Sequence, residues 1–166
     1  MDLEFLEPTP AKFELLLQWL ENHKSEGAER FEYDEPVRSV HEAINVSGLK
    51  KGDFIKSICL QHKKDNTFVI AIILAGSKVN KKMIREGVNP KKWSMATPEQ
   101  IFNTIGFPPG GVPPVCLPIE LDVYVDPRVL KREFVVGGGG TQSSLMKLPP
   151  HLVLEAGAEE RIISIG

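Results

Sequence analysis

Three stretches of the chain carry residues whose types and spacing could do chemistry. One is a lysine inside an apolar run, FIKSICL from Phe54 to Leu60. Another is a glycine pair held between prolines, PPGGVPP from Pro108 to Pro114. The last is a run of four glycines, Gly137 to Gly140. In an extended segment alternate residues share a face. Phe54, Lys56, Ile58 and Leu60 then point one way, and Ile55, Ser57 and Cys59 the other. Lys56 reads either as a snorkelling or edge-protecting lysine or as a partly desolvated ammonium in a pocket, placed for an anionic ligand. The Gly110-Gly111 turn reads either as a proline-stiffened surface connection or as a rigid loop whose amides bind a carbonyl oxygen or orient a water. Four glycines cost chain entropy to order, so Gly137 to Gly140 is either a flexible bend or a backbone contact with a ligand. It is no P-loop, because no Lys-Ser or Lys-Thr pair ends it, and no dinucleotide fingerprint, because Thr141 to Leu148 reads as extended.

Other constellations fail. His23, His41, His62 and His151 lack metal-ligand spacing, and neither a metal nor a cofactor is expected. No GxSxG elbow is present. Cys116 beside the proline-rich loop could be a nucleophile, but no histidine lies near it in sequence, and buried packing fits better. Lys81, Lys82, Arg85, Lys91 and Lys92 form a basic cluster, either a solvated face or a phosphate-backbone contact.

The surrounding pattern predicts the elements that place these residues. Thr9-Pro10 opens a helix whose stripe is Phe13, Leu16, Leu17 and Leu20, ended by the polar residues 21–30. Ser39 and Glu42 suggest a capping box for a helix from Val40 to Val46, closed by Gly48. Phe54 to Gln61 and the continuously apolar Thr67 to Ala75 read as a hairpin, the second strand buried on both faces. Asn80 should cap a short helix that stops at Gly87. Trp93 to Met95 is a brief strand, and Thr97-Pro98-Glu99-Gln100 caps a helix ending at Gly106. Prolines keep residues 108–118 out of helix and central strand. Strands follow at Leu121 to Val125, Glu133 to Val136, Ser144 to Leu148 and Ile162 to Ile165, with a helical turn after Asp126-Pro127 and a helix from His151 to Ala156. Without a regular βαβ rhythm, the expected class is α+β (mixed α/β), a mixed central sheet surrounded by short helices.

The 166 residues fit one domain, 1–166, able to bury roughly 70% of its unfolded surface. Twenty basic and 22 acidic residues leave a net charge of -2, against a general polyanion-coating role. Cys59 and Cys116 form no CxxC pair and read as reduced and buried. The acidic start has no signal-peptide pattern and no apolar run spans a bilayer, so a cytoplasmic protein without membrane contact is expected.

The order FIKSICL, GGVPP (Gly110 to Pro114), GGGTQS (Gly138 to Ser143) resembles the YbaK/prolyl-tRNA-synthetase-associated editing domain family, the trans-editing aminoacyl-tRNA deacylases. The SVHEAI, TPEQ and VDPRVL segments are similar to its pattern too. The resemblance covers about residues 31–165, leaving 1–30 as a variable N-terminal helical extension. It implies a pocket beneath the glycine loops, with Lys56 matching the family lysine, Gly110 and Pro114 the ends of a GxxxP loop, and Gly138 to Gly140 the second loop. Thr141-Gln142-Ser143 stands where the family often has an acidic or glycine residue. Lys56, Gly110, Gly111 and Gly139 are thereby the catalytic candidates. Pro114, Gly138, Gly140, Thr141 and Ser143 are the substrate-binding ones.

The implied function is hydrolysis, in trans, of the ester of mischarged tRNA. The 3′ acceptor end of an aminoacyl-tRNA is the partner, and an aminoacyl-tRNA synthetase the second. An activated ester needs a positioned water, oxyanion donors and a cation near the phosphate rather than a triad. Backbone amides of Gly110 and Gly139 would donate, and Lys56 would supply the cation. The rivals are a non-catalytic tRNA- or nucleotide-binding module of the same fold, and a Cys116-dependent hydrolase of small esters.

Overall fold

The computed structural model describes residues 6–85 and 88–166. Helix α1 (Pro10–His23) has Pro10 in its first turn, where the missing N–H costs nothing. Thr9 makes no side-chain cap. Its hydroxyl donates instead to the Gly106 carbonyl at 3.4 Å. A 3-10 turn, Lys24–Glu26, leads into strand β1 (Glu29–Glu32), which begins within the polar stretch. Helix α2 (Val40–Ser47) is half of a capping box: Ser39 accepts the Glu42 N–H, but the Glu42 carboxylate accepts from Arg38 N, one residue too early.

Strands β2 (Ile55–His62) and β3 (Phe68–Leu74) form the expected antiparallel hairpin, in a register that sets Lys56 opposite Ile73. β3 is buried on both faces, as its unbroken apolar run requires. Ile70 and Ile72 enter one cluster with Leu16, Met146 and Leu152, while Val69, Ala71 and Ile73 enter another with Ile84, Trp93 and Ile163. Strand β4 (Lys78–Val79) follows, and Asn80 caps a 3-10 turn, Lys81–Met83, rather than an α-helix. The expected stop at Gly87 lies outside the described residues. A second 3-10 turn, Pro90–Lys92, precedes β5 (Trp93–Met95), and α3 (Pro98–Ile105) carries a complete Thr97–Gln100 capping box.

After the irregular proline segment come β6 (Asp122–Val125), α4 (Pro127–Leu130), β7 (Val135–Gly138), β8 (Ser144–Leu148), α5 (His151–Glu155), β9 (Glu159–Glu160) and β10 (Ser164–Ile165). The five-stranded mixed sheet runs β5-β2-β3-β6-β9, with β6 parallel to both neighbours. A separate antiparallel sheet, β1-β8-β7, meets it through a bridge between Phe54 and Val136, and β4 pairs with β10. No described helix is long and apolar enough to cross a membrane.

Asp126, 2% exposed, pins the C-terminal segment. Its Oδ2 accepts from Ile163 N, Ser164 N and the Ser164 hydroxyl, and its Oδ1 accepts from Arg128 N. Burial pushes its carboxyl up, but these donors and the Arg128 charge outweigh that and hold it below the usual range. Asp126→Ala should therefore cost about 1–3 kcal/mol in urea unfolding at pH 7, since it strands buried donors. Because the folded-state carboxyl is the stronger acid, that contribution is full above the unfolded-state value. The gap between variant and parent should close as pH falls through the lowered one.

Candidate active site

Lys56 lies on the half of β2 that β5 does not cover, since β5 pairs only with Leu60 to His62. The uncovered half instead faces β7 across the Phe54–Val136 bridge. Lys56 therefore sits at the seam between two sheets, not on an exposed edge. Ile58, Leu60 and the facing Ile73 share its side of the sheet, as alternation predicts. Lys56 is half-buried, and its ammonium has no hydrogen-bond or ion-pair partner among the described residues. Its chain lines a cavity of about 190 Å³ together with Ser57, Ile101, Gly110, Val112 and Gly138. The start of α2 closes the far wall through Val40 and Ala43. Lys56 also borders a second cavity of about 630 Å³, lined by Arg38, His41 and Lys51 with no carboxylate.

The two glycine segments meet main chain to main chain. Gly140 N–H donates to Gly111 O at 2.8 Å, and the Gln142 side-chain amide donates to Pro109 O at 3.2 Å. Gly110 has φ +80°, and a Cβ there would stand 2.7 Å from Arg38 Cβ. A Cβ on Gly138 would collide with the Val112 carbonyl. Neither position has room for any other residue.

The register turns the Gly138 and Gly139 amides in opposite directions. Gly139 N–H already donates to Ser144 O at 3.0 Å, and its carbonyl accepts from Arg30 Nε at 2.7 Å. Gly139 is thus tied up within the sheet and its neighbours. A side chain there would strike the β8 backbone, so its substitution would test folding rather than the site. Antiparallel pairs alternate, so the 138/145 pair beside the bonded 139/144 pair turns its amides outward. Gly138 N–H therefore points away from β8, on the strand side that lines the cavity. Gly110 N–H has no partner among the described residues. The direction of the Gly138 amide could not be read from sequence, because the glycine run carries no side-chain pattern to fix its register.

The structure brings Lys56, Gly110 and Gly138 to one cavity, with Gly111, Gly140 and Pro114 beside it. Gly111 and Gly140 join the loops, and Pro114 packs on Gly137. Thr141 and Ser143 border a different, acidic cavity with Glu32, Asp34 and Glu35. There Ser143 Oγ donates to Glu32 at 3.0 Å, and Thr141 Oγ1 donates to Ser144 Oγ at 2.6 Å. Glu26, His151 and Glu155 converge at the surface with ligand atoms within 4.8 Å, a grouping the sequence spacing did not show. They line none of the Lys56 cavity.

Cys116 is half-buried rather than buried, at φ +59°, and its Sγ faces Leu15 O at 3.9 Å outside the cavity. Burial pushes its thiol up to about 11, against a smaller opposing pull from Lys12. A thiol that weakly acidic is a poor nucleophile at neutral pH.

The sequence model of the aminoacyl-tRNA editing domain matches residues 34–155. The chain belongs to that family. A proline–tRNA ligase of Caldicellulosiruptor bescii is 27% identical over 131 residues, 78% of this chain and 22% of the ligase. The chain thus spans about a fifth of the length of that relative. Protein YwhH of Bacillus subtilis, uncharacterized, is 27% identical over 120 residues, 72% of this chain and 74% of its own. A solved structure described as a putative trans-editing enzyme for prolyl tRNA synthetase shares the fold, with TM-score 0.73, 23% identity and coverage of 95% of this chain and 99% of the other. The family match begins at residue 34, beyond α1, although Leu16 and Leu20 of α1 are in the core.

Two outcomes test this geometry. Gly110→Ala should lower stability by about 1 kcal/mol or more in urea unfolding, because φ is positive and Arg38 is in the way. Alkylation of Cys116 in the folded protein should be far slower at pH 8 than that of a free thiol, with the rate climbing toward pH 11.

Proposed function

We propose that this editing domain hydrolyses the aminoacyl ester of mischarged tRNA in trans. The observation that carries the reading is the unpartnered Lys56 ammonium, beside Gly110 and Gly138, in one small cavity. The aminoacyl group enters that cavity. At about 190 Å³ it is smaller than the 300–1,000 Å³ of drug-sized pockets, and its Val40, Ala43, Ile101 and Val112 walls suit a small uncharged side chain. The terminal adenosine lies toward the larger cavity, where Arg38, Lys51 and Lys56 present positive charge to its phosphate.

The chemistry needs no protein nucleophile. A water oxygen bonds to the ester carbonyl carbon, and the carbonyl oxygen takes up negative charge. In this reading the N–H groups of Gly110 and Gly138 donate to that oxyanion, from loops that are locked to each other. The C–O bond to the ribose then breaks, and a proton from the water ends on the leaving ribose oxygen. The vicinal ribose hydroxyl orients the water, and Lys56 anchors the phosphate, fixing the ester against the donors. The proline–tRNA ligase relatives make a tRNA for proline the first to test.

A single-turnover panel of aminoacyl-tRNAs bearing small and large amino acids tests the reading through release of free amino acid. Lys56→Ala should slow release by on the order of a hundredfold or more. Lys56→Arg should also be impaired, because a planar guanidinium does not reproduce a compact ammonium. Cys116→Ala should keep the parental rate. Equal rates for the parent and both Lys56 variants would remove Lys56 from the site. Parental binding of tRNA without release of any amino acid would favour a non-catalytic module.

A further inference from the structure

The sequence left one cluster of charge unexplained, and the fold enlarges it. The hairpin turn between β2 and β3 brings Lys63 and Lys64 beside the Pro90–Lys92 turn, where Lys63 N–H donates to Lys92 O at 2.8 Å. The Lys81–Met83 turn packs on that same segment. The hairpin turn and these two 3-10 turns thereby place Lys63, Lys64, Lys81, Lys82, Lys91 and Lys92 at one end of the molecule. All but the half-buried Lys81 are exposed, and none forms an ion pair among the described residues. Among the described residues, the carboxylates nearby are occupied. Asp65 accepts from Thr67 and pairs with His62, and Asp122 pairs with Arg85 at 3.2 Å. Arg85 itself lies over the Trp93 ring, 5.4 Å from its centroid, and belongs to the packing. Six free ammoniums together are a local excess in a chain whose net charge is -2.

We infer that this end of the protein docks the base-paired acceptor stem of the tRNA through its phosphates, a role that rests on the deacylase reading of the Lys56 cavity. Two features favour duplex backbone over unpaired bases. The ring side chains of these segments, His62 and Trp93, are buried, so nothing aromatic is offered for base stacking. Lysines, compact charges on flexible four-carbon stems, read phosphate and not sequence. Position agrees as well. β2 separates Lys56 from His62 by six residues, about 20 Å at the usual rise of a strand. The ester sits at the tip of an unpaired 3′ tail, so the first base pairs must rest at a distance from the pocket that holds it.

The test is a combined Lys64→Gln, Lys82→Gln, Lys91→Gln, Lys92→Gln variant, compared with the parent on two substrates. One is full-length mischarged tRNA, and the other is the same amino acid esterified to a CCA trinucleotide. At low salt, kcat/KM on the full tRNA should fall by about tenfold or more, and the log–log salt slope should shrink by up to about 3.6, near 0.9 for each of the four lost phosphate contacts. The trinucleotide rate should not change. Parental values on the full tRNA would overturn the inference, as would equal losses on both substrates, which would indicate damage to the cavity. If the parent hydrolyses neither substrate, the deacylase reading fails by itself. The surface is then judged by tRNA binding across a salt titration, where equal affinity and slope for variant and parent would overturn it.

Discussion

The cavity depends on a contact between two stretches of main chain that leaves no space for side chains. The loop around Gly110 to Val112 lies directly against the end of β7, with the Val112 carbonyl where a Cβ of residue 138 would be. Gly140 and Gly111 join the two by a hydrogen bond. Contact this close excludes water and fixes two amide groups without the rotamer freedom a side-chain donor would have to lose. The prolines at 108, 109, 113 and 114 limit the loop in the unfolded chain as well, so part of the entropy cost of ordering the glycines is met by their neighbours.

Lys56 is the exception to local consistency. A half-buried lysine among apolar neighbours, with no hydrogen-bond or ion-pair partner among the described residues, adds less to packing than an aliphatic side chain would. Strands β2 and β3 can bear it because they are anchored elsewhere, through Ile70, Ile72, Leu60 and Trp93, which are all but fully buried. Such departures from the stability optimum gather at sites that must bind something. The same β2 strand that presents Lys56 at one end leads to the lysine-rich turn at the other, so one rigid element sets the spacing between the cavity and the positive surface.

The near-neutral net charge conceals a division of charge. Glu32, Asp34 and Glu35 gather around Thr141 and Ser143, while the free lysines gather at the far end of the hairpin and Arg38, Lys51 and Lys56 line the larger cavity. The carboxylates beside the lysines, Asp65 and Asp122, pair with His62 and Arg85, which leaves the lysines' own potential for an anionic ligand to meet on approach.

Much of the fold was legible in the sequence, because its signals are local. The unbroken apolar run of β3, the Thr97–Gln100 capping box, the hairpin turn at Lys63 to Asn66 and the proline segment each follow from neighbouring residues, and each formed as read. The alternation that sets Lys56 on the face of Ile58 and Leu60 is equally local. Tertiary structure decided what depends on register and on close approach. Gly137 and Gly138 belong to β7 rather than to a loop after it, and pairing with β8 turns Gly138 toward the cavity while engaging Gly139. Glycines carry no side chain to mark a face, so only the partner strand could make that choice. Thr141 and Ser143 follow the glycines directly in sequence yet border another cavity, because the chain turns into β8 to continue the sheet. Sequence determined which residues could form strands, turns and a lysine-bearing face. The pairing of β7 with β8 determined which amides turn away from β8 beside that lysine, because each N–H of the strand can face only one neighbour.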